Sequence, residues 1–158
     1  MASEDQTKIE PRRPSKAGIQ FQRFITGLHT RIFRLSGGKL GGRMAGCPVL
    51  LLTTKGRKTG KERVTPLLYI PDNDNFVLIA SNGGVPNHPA WYWNMQANRE
   101  VEVQVGGRKL RVRAEDAASA ERERLWAKAV GMYSGYADYQ KRTERQIPVV
   151  ILRPLGKS

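Results

Sequence analysis

The sequence holds one cysteine, Cys47, and two histidines, His29 and His88. A single thiol excludes an internal disulfide and a cysteine-based zinc cage, and so few imidazoles leave no cluster for a structural metal. No apolar run approaches the ~20 residues that a bilayer-spanning helix needs; the run Val49 to Leu52 stands among the longest. The opening MASEDQTKIEPRRPSK is polar and lacks the apolar stretch of a signal peptide, so the cytoplasm is the expected compartment. Hydrolytic machinery is also missing: no Ser/His/Asp set, no histidine near Cys47, no paired carboxylates in a plausible cleft. Acids are scarce overall, 14 Asp and Glu against 27 Lys and Arg, a net charge of +13. Such an excess calls for an anionic partner, which composition alone leaves open as nucleic acid, anionic lipid or a multiply charged small molecule.

What is present reads as one domain of 158 residues, long enough to bury a core without staples. Residues 1–18 mix charge and proline with little apolar content and read as a loosely ordered arm; the remaining 19–158 form the domain. IQFQRFITGLHTRIFRL, residues 19–35, places Phe21, Phe24, Ile25, Leu28, Ile32 and Leu35 at helical spacing with arginines off the stripe. It reads either as a helix packed on the domain or as a basic amphipathic helix touching anionic lipid at the inner face of the membrane. After a glycine-rich connection come six short strands: CPVLLLTT, RVTPLLYIP, FVLIAS, VEVQV, RKLRVRA and IPVVILRP. The pair around Gly106-Gly107 is the plainest hairpin, with Val101, Val103 and Val105 alternating into it and Leu110, Val112 and Ala114 alternating out. AWYWNMQAN behind Pro89 reads as a short helix, and SAERERLWAKAV as a longer one, capped by Asp116 or Ser119 and closed by Gly131. About six antiparallel strands in meander order, with two to four flanking helices, favour a small barrel with helices outside it.

Between the first two of these strands lies TTKGRKTGKERVTP, with Lys55, Arg57, Lys58, Lys61 and Arg63 within nine positions. It is not a phosphate-gripping P-loop: three residues separate the glycines of GRKTGKE, Glu62 follows the lysine, and a strand follows instead of a helix. It reads as a hairpin loop whose glycines free backbone amides and whose guanidinium groups suit phosphate or carboxylate, or else as a solvated hairpin tip. Arg108, Lys109, Arg111 and Arg113 could extend a basic track for nucleic acid, but the aromatics do not interleave with them as stacking platforms. The aromatics gather instead at Trp91, Tyr92 and Trp93, and at Tyr133, Tyr136 and Tyr139. The second group, interrupted by Gly135, suits the wall of a pocket for a flat ring, or ordinary packing of a half-buried segment. An anion grip and aromatic walls without acid–base machinery point to chemistry carried by a cofactor.

PVLLLTTKGRKTGKERVTPLLYI, ASNGGVPNHPAWYWNMQANREVEVQV and MYSGYADYQKRTERQIPVVIL together resemble the deazaflavin-dependent nitroreductase family of actinobacteria, over about residues 19–154. The resemblance implies a split β-barrel of the FMN-binding type and the use of reduced coenzyme F420, whose phosphodiester and oligoglutamate tail would explain the basic loop. FMN is the alternative cofactor, and a non-catalytic nucleic-acid or membrane binder the alternative class. Carried over by motif, Arg57, Lys58, Thr59 and Arg63 meet the phosphate and tail, and Val64, Thr65 and Pro66 approach the deazaflavin. Ile79, Ala80, Ser81 and Asn82 lie along it, while Ala90, Trp91, Tyr92, Trp93 and Asn94 close the other side. Tyr133, Tyr136 and Ser81 are the implied catalytic groups, with Tyr139 and Leu68 on the substrate side. The implied acceptor is a quinone, a conjugated enone or a nitro compound, and no metal is implied. Leu68, where the best-known member has tyrosine, and Asn82, where it has lysine, depart from the family pattern and bear on the acceptor.

Overall fold

The computed structural model describes residues 43–44 and 47–156; the arm, the amphipathic helix and most of the glycine-rich connection expected from the sequence lie outside these residues. Eight strands are present among them: β1 (Arg43–Met44), β2 (Cys47–Lys55), β3 (Glu62–Leu68), β4 (Ile70–Asp72), β5 (Asn75–Ile79), β6 (Glu100–Val105), β7 (Arg108–Asp116) and β8 (Val149–Pro154). Three α-helices accompany them: α1 (Ala90–Ala97), α2 (Ser119–Met132) and α3 (Gly135–Lys141), with a 3-10 turn at Asn82–Gly84. Six strands were expected. β1 is additional, and the second expected strand divides at Tyr69 into β3 and β4.

All pairings are antiparallel. The main path runs β2-β6-β7-β8-β5-β4, with β3 on the other side of β2. β3 pairs only with β2 and β4 only with β5 among the described residues, so both are sheet edges. Yet β3 and β4 are consecutive in the chain, with Tyr69 alone between them. One residue spans at most about 3.6 Å of extended chain. The sheet therefore has to curl until its two edges stand side by side. The Tyr69 amide holds that corner by donating to the Pro48 carbonyl at 3.1 Å.

Inside the curl lie Leu50, Leu52, Leu78, Val101, Val103, Val112, Val150 and Leu152, closed off by Trp91, Tyr92 and Met95 of α1. The opposite face of β4, β5 and β8 carries Ile70, Val77, Ile79, Val149 and Ile151, covered by Leu125 and Ala129 of α2 and Tyr136 of α3. This accounts for the two kinds of apolar pattern. β5 and β8 are covered on both faces and read as unbroken apolar runs, whereas β6 alternates because Glu100, Glu102 and Gln104 face outward.

The ends of α2 differ from expectation. Its N-cap is Ala118, with no side-chain cap, and Ser119 is the first helical residue. Asp116 is drawn away instead by Tyr92 Oη, which donates to it at 3.0 Å, and by Gln96 Nε2 at 3.3 Å. Gly131 does not close the helix, which runs to Met132 and ends where Tyr133 turns extended at φ −142°.

α2 is pinned to β4 by a buried carboxylate. Arg124 donates to both Asp72 oxygens at 2.9 Å, and Lys128 reaches Oδ1 at 3.3 Å. The Arg124 hydrogen bonds lead, with Lys128 and both charges adding, in holding the Asp72 carboxyl at about 2, below its ordinary 3.8, against the opposing effect of burial. A folded-state value below the unfolded one stabilises the fold above the unfolded value and ceases to do so as pH falls through the folded one. Asp72→Asn should cost about 1–2 kcal/mol at neutral pH, the half-exposed partners screening the rest. In urea unfolding, the gap from wild type should close between about pH 5 and pH 2.

Candidate active site

The basic loop is a built turn. The Gly56 amide donates to the Lys61 carbonyl at 2.8 Å and the Gly60 amide to the Gly56 carbonyl at 2.7 Å. Gly60 has φ +69°, a conformation that costs a side-chain-bearing residue about 1 kcal/mol or more. Thr59 Oγ1 accepts from the Lys61 amide at 3.3 Å, so its hydroxyl braces the turn from within. Arg57, Lys58, Lys61 and Arg63 are left exposed on a rigid support.

That support is anchored to the barrel through Asn94. Its Oδ1 accepts from the Arg57 amide at 3.0 Å, and its Nδ2 donates to buried Thr54 Oγ1 at 3.2 Å. Trp93, 42% exposed, lies beneath the Arg57 guanidinium at 5.9 Å. Trp91 and Tyr92 are turned into the core, and the Tyr92 phenol, buried and bound to Asp116, is pushed up to about 12. Of the segment Ala90 to Asn94, then, Ala90 and Trp93 face outward while Trp91, Tyr92 and Asn94 face in. Helical geometry requires such a division: five consecutive residues cover more than one full turn.

At the end of β5, the side chains of Ile79 and Ala80 are buried in the core, so only their backbone could line a ligand. Ser81 is also buried, and Asn82 is exposed with φ +47°. Gly83 and Gly84 follow with φ +65° and +79°. Gly84 is packed so closely on α3 that an added Cβ would lie 2.7 Å from the Tyr139 carbonyl oxygen. The strand end is thereby joined to the tyrosine segment.

Gly135, expected to interrupt a helix, instead begins α3. A Cβ there would stand 2.5 Å from Tyr133 Cζ, so this glycine makes room for the Tyr133 ring to lie over the backbone. The three tyrosines contact one another at centroid distances of 5.0, 6.2 and 6.4 Å, and the Tyr133 and Tyr139 hydroxyls are 3.0 Å apart. Tyr136 is 5% exposed, and burial pushes its phenol up. The hydrogen bond with Tyr133, followed by burial, raises Tyr139 as well. Tyr133 and Tyr139 are half-exposed, so they are the phenols of this group open to a ligand.

Val64, Thr65, Pro66 and Leu68 are half-buried along edge strand β3, opposite Thr53, Leu52, Leu51 and Val49 of β2. Placement thus divides the expected site residues into three groups. Arg57, Lys58 and Thr59 belong to the anchored turn with Trp93 and Asn94 of α1, Arg63 to Leu68 to the adjoining edge strand β3, and Ser81, Asn82, Tyr133 and Tyr139 to the region joined by Gly84. An open polar groove of about 560 Å³ lies at the root of the β2–β3 hairpin, lined by Thr53, Lys55, Glu62, Glu100, Glu102 and Arg111 among others, and holds none of the expected site residues. On that side Arg111 and Arg113 lie 4.0 and 3.9 Å from Glu100.

The sequence reading did not single out Arg145 or Gly84, took Gly135 only as an interruption, and considered His88 only as a metal ligand. Arg145 stands in KRTERQ among other charges, and nothing in its spacing marks it as the one turned inward.

Comparison with known proteins bears on this arrangement. The family model of the F420H(2)-dependent quinone reductases matches residues 26–154. The chain belongs to that family. The F420H(2)-dependent quinone reductase of Mycobacterium tuberculosis (strain H37Rv) is 40% identical over 139 residues, 85% of this chain and 91% of that one. A solved F420-H2-dependent reductase, FDR-A, is similar with a TM-score of 0.62 and 44% identity, over 67% of this chain and 94% of that chain. A second solved structure, described as a domain-swapped dimer, gives 0.65 and 38%, over 84% and 98%. The curled sheet is the split β-barrel of these reductases.

The phenol pair can be checked directly. Tyr133→Phe removes one partner of the Tyr139 hydroxyl, so the Tyr139 phenol should fall back toward about 10. Ultraviolet titration should show one phenol fewer and a remaining tyrosine ionising earlier than in wild type; the loss of one phenol with no such advance would mean the hydroxyls do not pair.

Proposed function

We propose that this chain is an F420H2-dependent reductase that passes a hydride to a quinone-type acceptor. The observation that carries the reading is the anchored basic turn at Gly56–Gly60, present in a chain that belongs to the quinone reductase family. Its donor set fits the cofactor: four exposed cations match a phosphodiester and a carboxylate-rich tail, and the half-buried apolar edge of β3 next to them suits a flat ring. When bound, the reduced deazaflavin supplies the hydride.

The protein's own residues have three tasks in this scheme. Arg57, Lys58 and Arg63 bind the phosphate and tail, with Thr59 and Asn94 holding the turn in shape. Val64, Thr65 and Pro66 on one side, and the backbone from Ile79 to Asn82 on the other, orient the ring. Tyr133 and Tyr139 stand on the acceptor side, where their paired hydroxyls can hold a proton and donate a hydrogen bond to an acceptor oxygen as it gains charge. Tyr136, buried behind them, keeps their rings in place, and Leu68 shapes the acceptor's apolar surroundings. A quinone dissolved in lipid would be met at the inner face of the membrane through the basic amphipathic segment 19–35, a contact that rests on sequence alone.

Two measurements test this. F420 fluorescence titration should show binding that weakens with salt, and the double variant Arg57→Ala/Lys58→Ala should bind about 10–100-fold more weakly at low salt. Equal binding by the variant would remove the loop from the site, and a yellow preparation with bound flavin would replace F420 by FMN. Tyr133→Phe should lower turnover of a soluble quinone such as menadione while leaving F420 affinity in place. Unchanged turnover would take Tyr133 out of the reaction.

A further inference from the structure

The guanidinium of Arg145 finds all its acceptors on one segment, the loop between β5 and α1. Nη2 donates to the Ser81 carbonyl at 2.7 Å, Nη1 to the Ala80 carbonyl at 3.2 Å and Nε to the Val85 carbonyl at 3.0 Å. Nη1 also lies 2.9 Å from His88 Nδ1. Since an arginine only donates, His88 Nδ1 accepts, and its ring proton sits on Nε2.

The root of the side chain is fixed just as closely. Gln140 of α3 donates through Nε2 to the Arg145 carbonyl at 2.8 Å and accepts at Oε1 from the Ile147 amide at 3.0 Å. Arg145 therefore ties the helix that carries Tyr136 and Tyr139 to the strand end that carries Ile79 to Asn82. Gly84 against the Tyr139 backbone and Ile79 beneath Tyr136 join the same two segments by packing, and Arg145 adds the polar tie.

The clamped loop needs such a tie. Asn82, Gly83 and Gly84 are three successive residues with positive φ, and for asparagine that conformation costs about 1 kcal/mol. Adjacent carbonyls at Ala80 and Ser81 converge on one cation, which fixes the two peptide planes between them. A lysine could not do this, because an ammonium lacks the planar fork that reaches three carbonyls and a ring nitrogen at once. His88 continues the chain of contacts: its ring packs on Tyr92 at 4.8 Å and on Trp93 at 5.2 Å. Burial first and the Arg145 charge second hold His88 below its ordinary value, with Asp116 opposing.

We propose that Arg145 is a positioning residue of the reductase site, setting the Ala80–Ser81 backbone against the Tyr133–Tyr139 pair and so fixing the separation of hydride donor and acceptor. The proposal rests on the F420H2 reductase reading, which assigns the donor to the first of these segments and the acceptor to the second. Arg145 itself touches neither. Its removal should leave the cofactor's tail grip intact and loosen the alignment of the reacting centres, which tolerates little displacement.

The experiment compares wild type, Arg145→Met and Arg145→Lys. F420 affinity is read by fluorescence, hydride transfer to menadione by single-turnover oxidation of F420H2, and the His88 ring by NMR titration. Arg145→Met should bind F420 within about threefold of wild type yet transfer hydride about 10–100-fold more slowly. In the same variant the His88 titration should move up toward about 6.5. Arg145→Lys should keep the low His88 value, because the charge is retained, and recover only part of the rate. A folded variant of either kind with the wild-type transfer rate overturns the proposal, and so does an equal fall in F420 affinity and rate. Should Arg145→Met not fold, the rate and affinity of Arg145→Lys decide alone. Absence of turnover in the wild type would instead overturn the functional reading, and this inference with it.

Discussion

One residue, Tyr69, separates the two edges of the sheet, and that shortness dictates the rest. A flat or gently twisted sheet of this many strands would hold its edges far apart. With β3 and β4 consecutive, the sheet must roll up, and its concave side becomes a core that α1 closes. The roll leaves β3, among the described residues, as an edge whose residues from Val64 onward are half-buried. A partly apolar edge beside a cationic turn is where a molecule with a flat ring and an acidic tail can lie along the protein. The same roll turns the outer face of β5 and β8 toward α2 and α3, so the tyrosines of α3 come to stand beside the end of β5.

Three small connections then hold this geometry in register. Asn94 ties the cationic turn to α1 and to Thr54. Gly84 admits the backbone of Tyr139. Arg145 joins the loop after β5 to the segment after α3. Each bridges elements far apart in sequence, and each uses a polar or glycine residue where bulk would spoil the contact. Their net worth as single hydrogen bonds is modest, about 1 kcal/mol each, but leaving their buried partners unmet costs more. They specify shape more than they add stability.

Much of this was legible in the sequence, for reasons that particular residues make clear. The β6–β7 hairpin was readable because one face is solvated, so alternating valines and polar residues survive on either side of Gly106-Gly107. The cationic turn announced itself through charge density. α3 was harder: Gly135 looks like an interruption, and only the Tyr133 ring lying on it shows why glycine is there. In AWYWN the residue types give the helix but not its facing, since Trp91, Tyr92 and Trp93 are equally aromatic and only packing decides that Trp93 is outside. Arg145 was not readable at all. An inward arginine and an outward one are the same letter, and its acceptors are backbone carbonyls that any sequence supplies.

The contact between Arg57 and Trp93 gives the molecule an internal optical gauge. Indole emission responds to a nearby cation and to solvent, and Trp93 has both, whereas Trp91 is enclosed in the core. An anion that draws the Arg57 guanidinium off the ring changes the surroundings of Trp93 and leaves those of Trp91 largely alone. Trp126 has a cation of its own, Arg122 at 5.8 Å; with Trp126 replaced by phenylalanine, occupancy of the cationic turn can be followed from the protein's own ultraviolet fluorescence, with no label and no turnover, using fragments of an acidic tail too short to carry a ring.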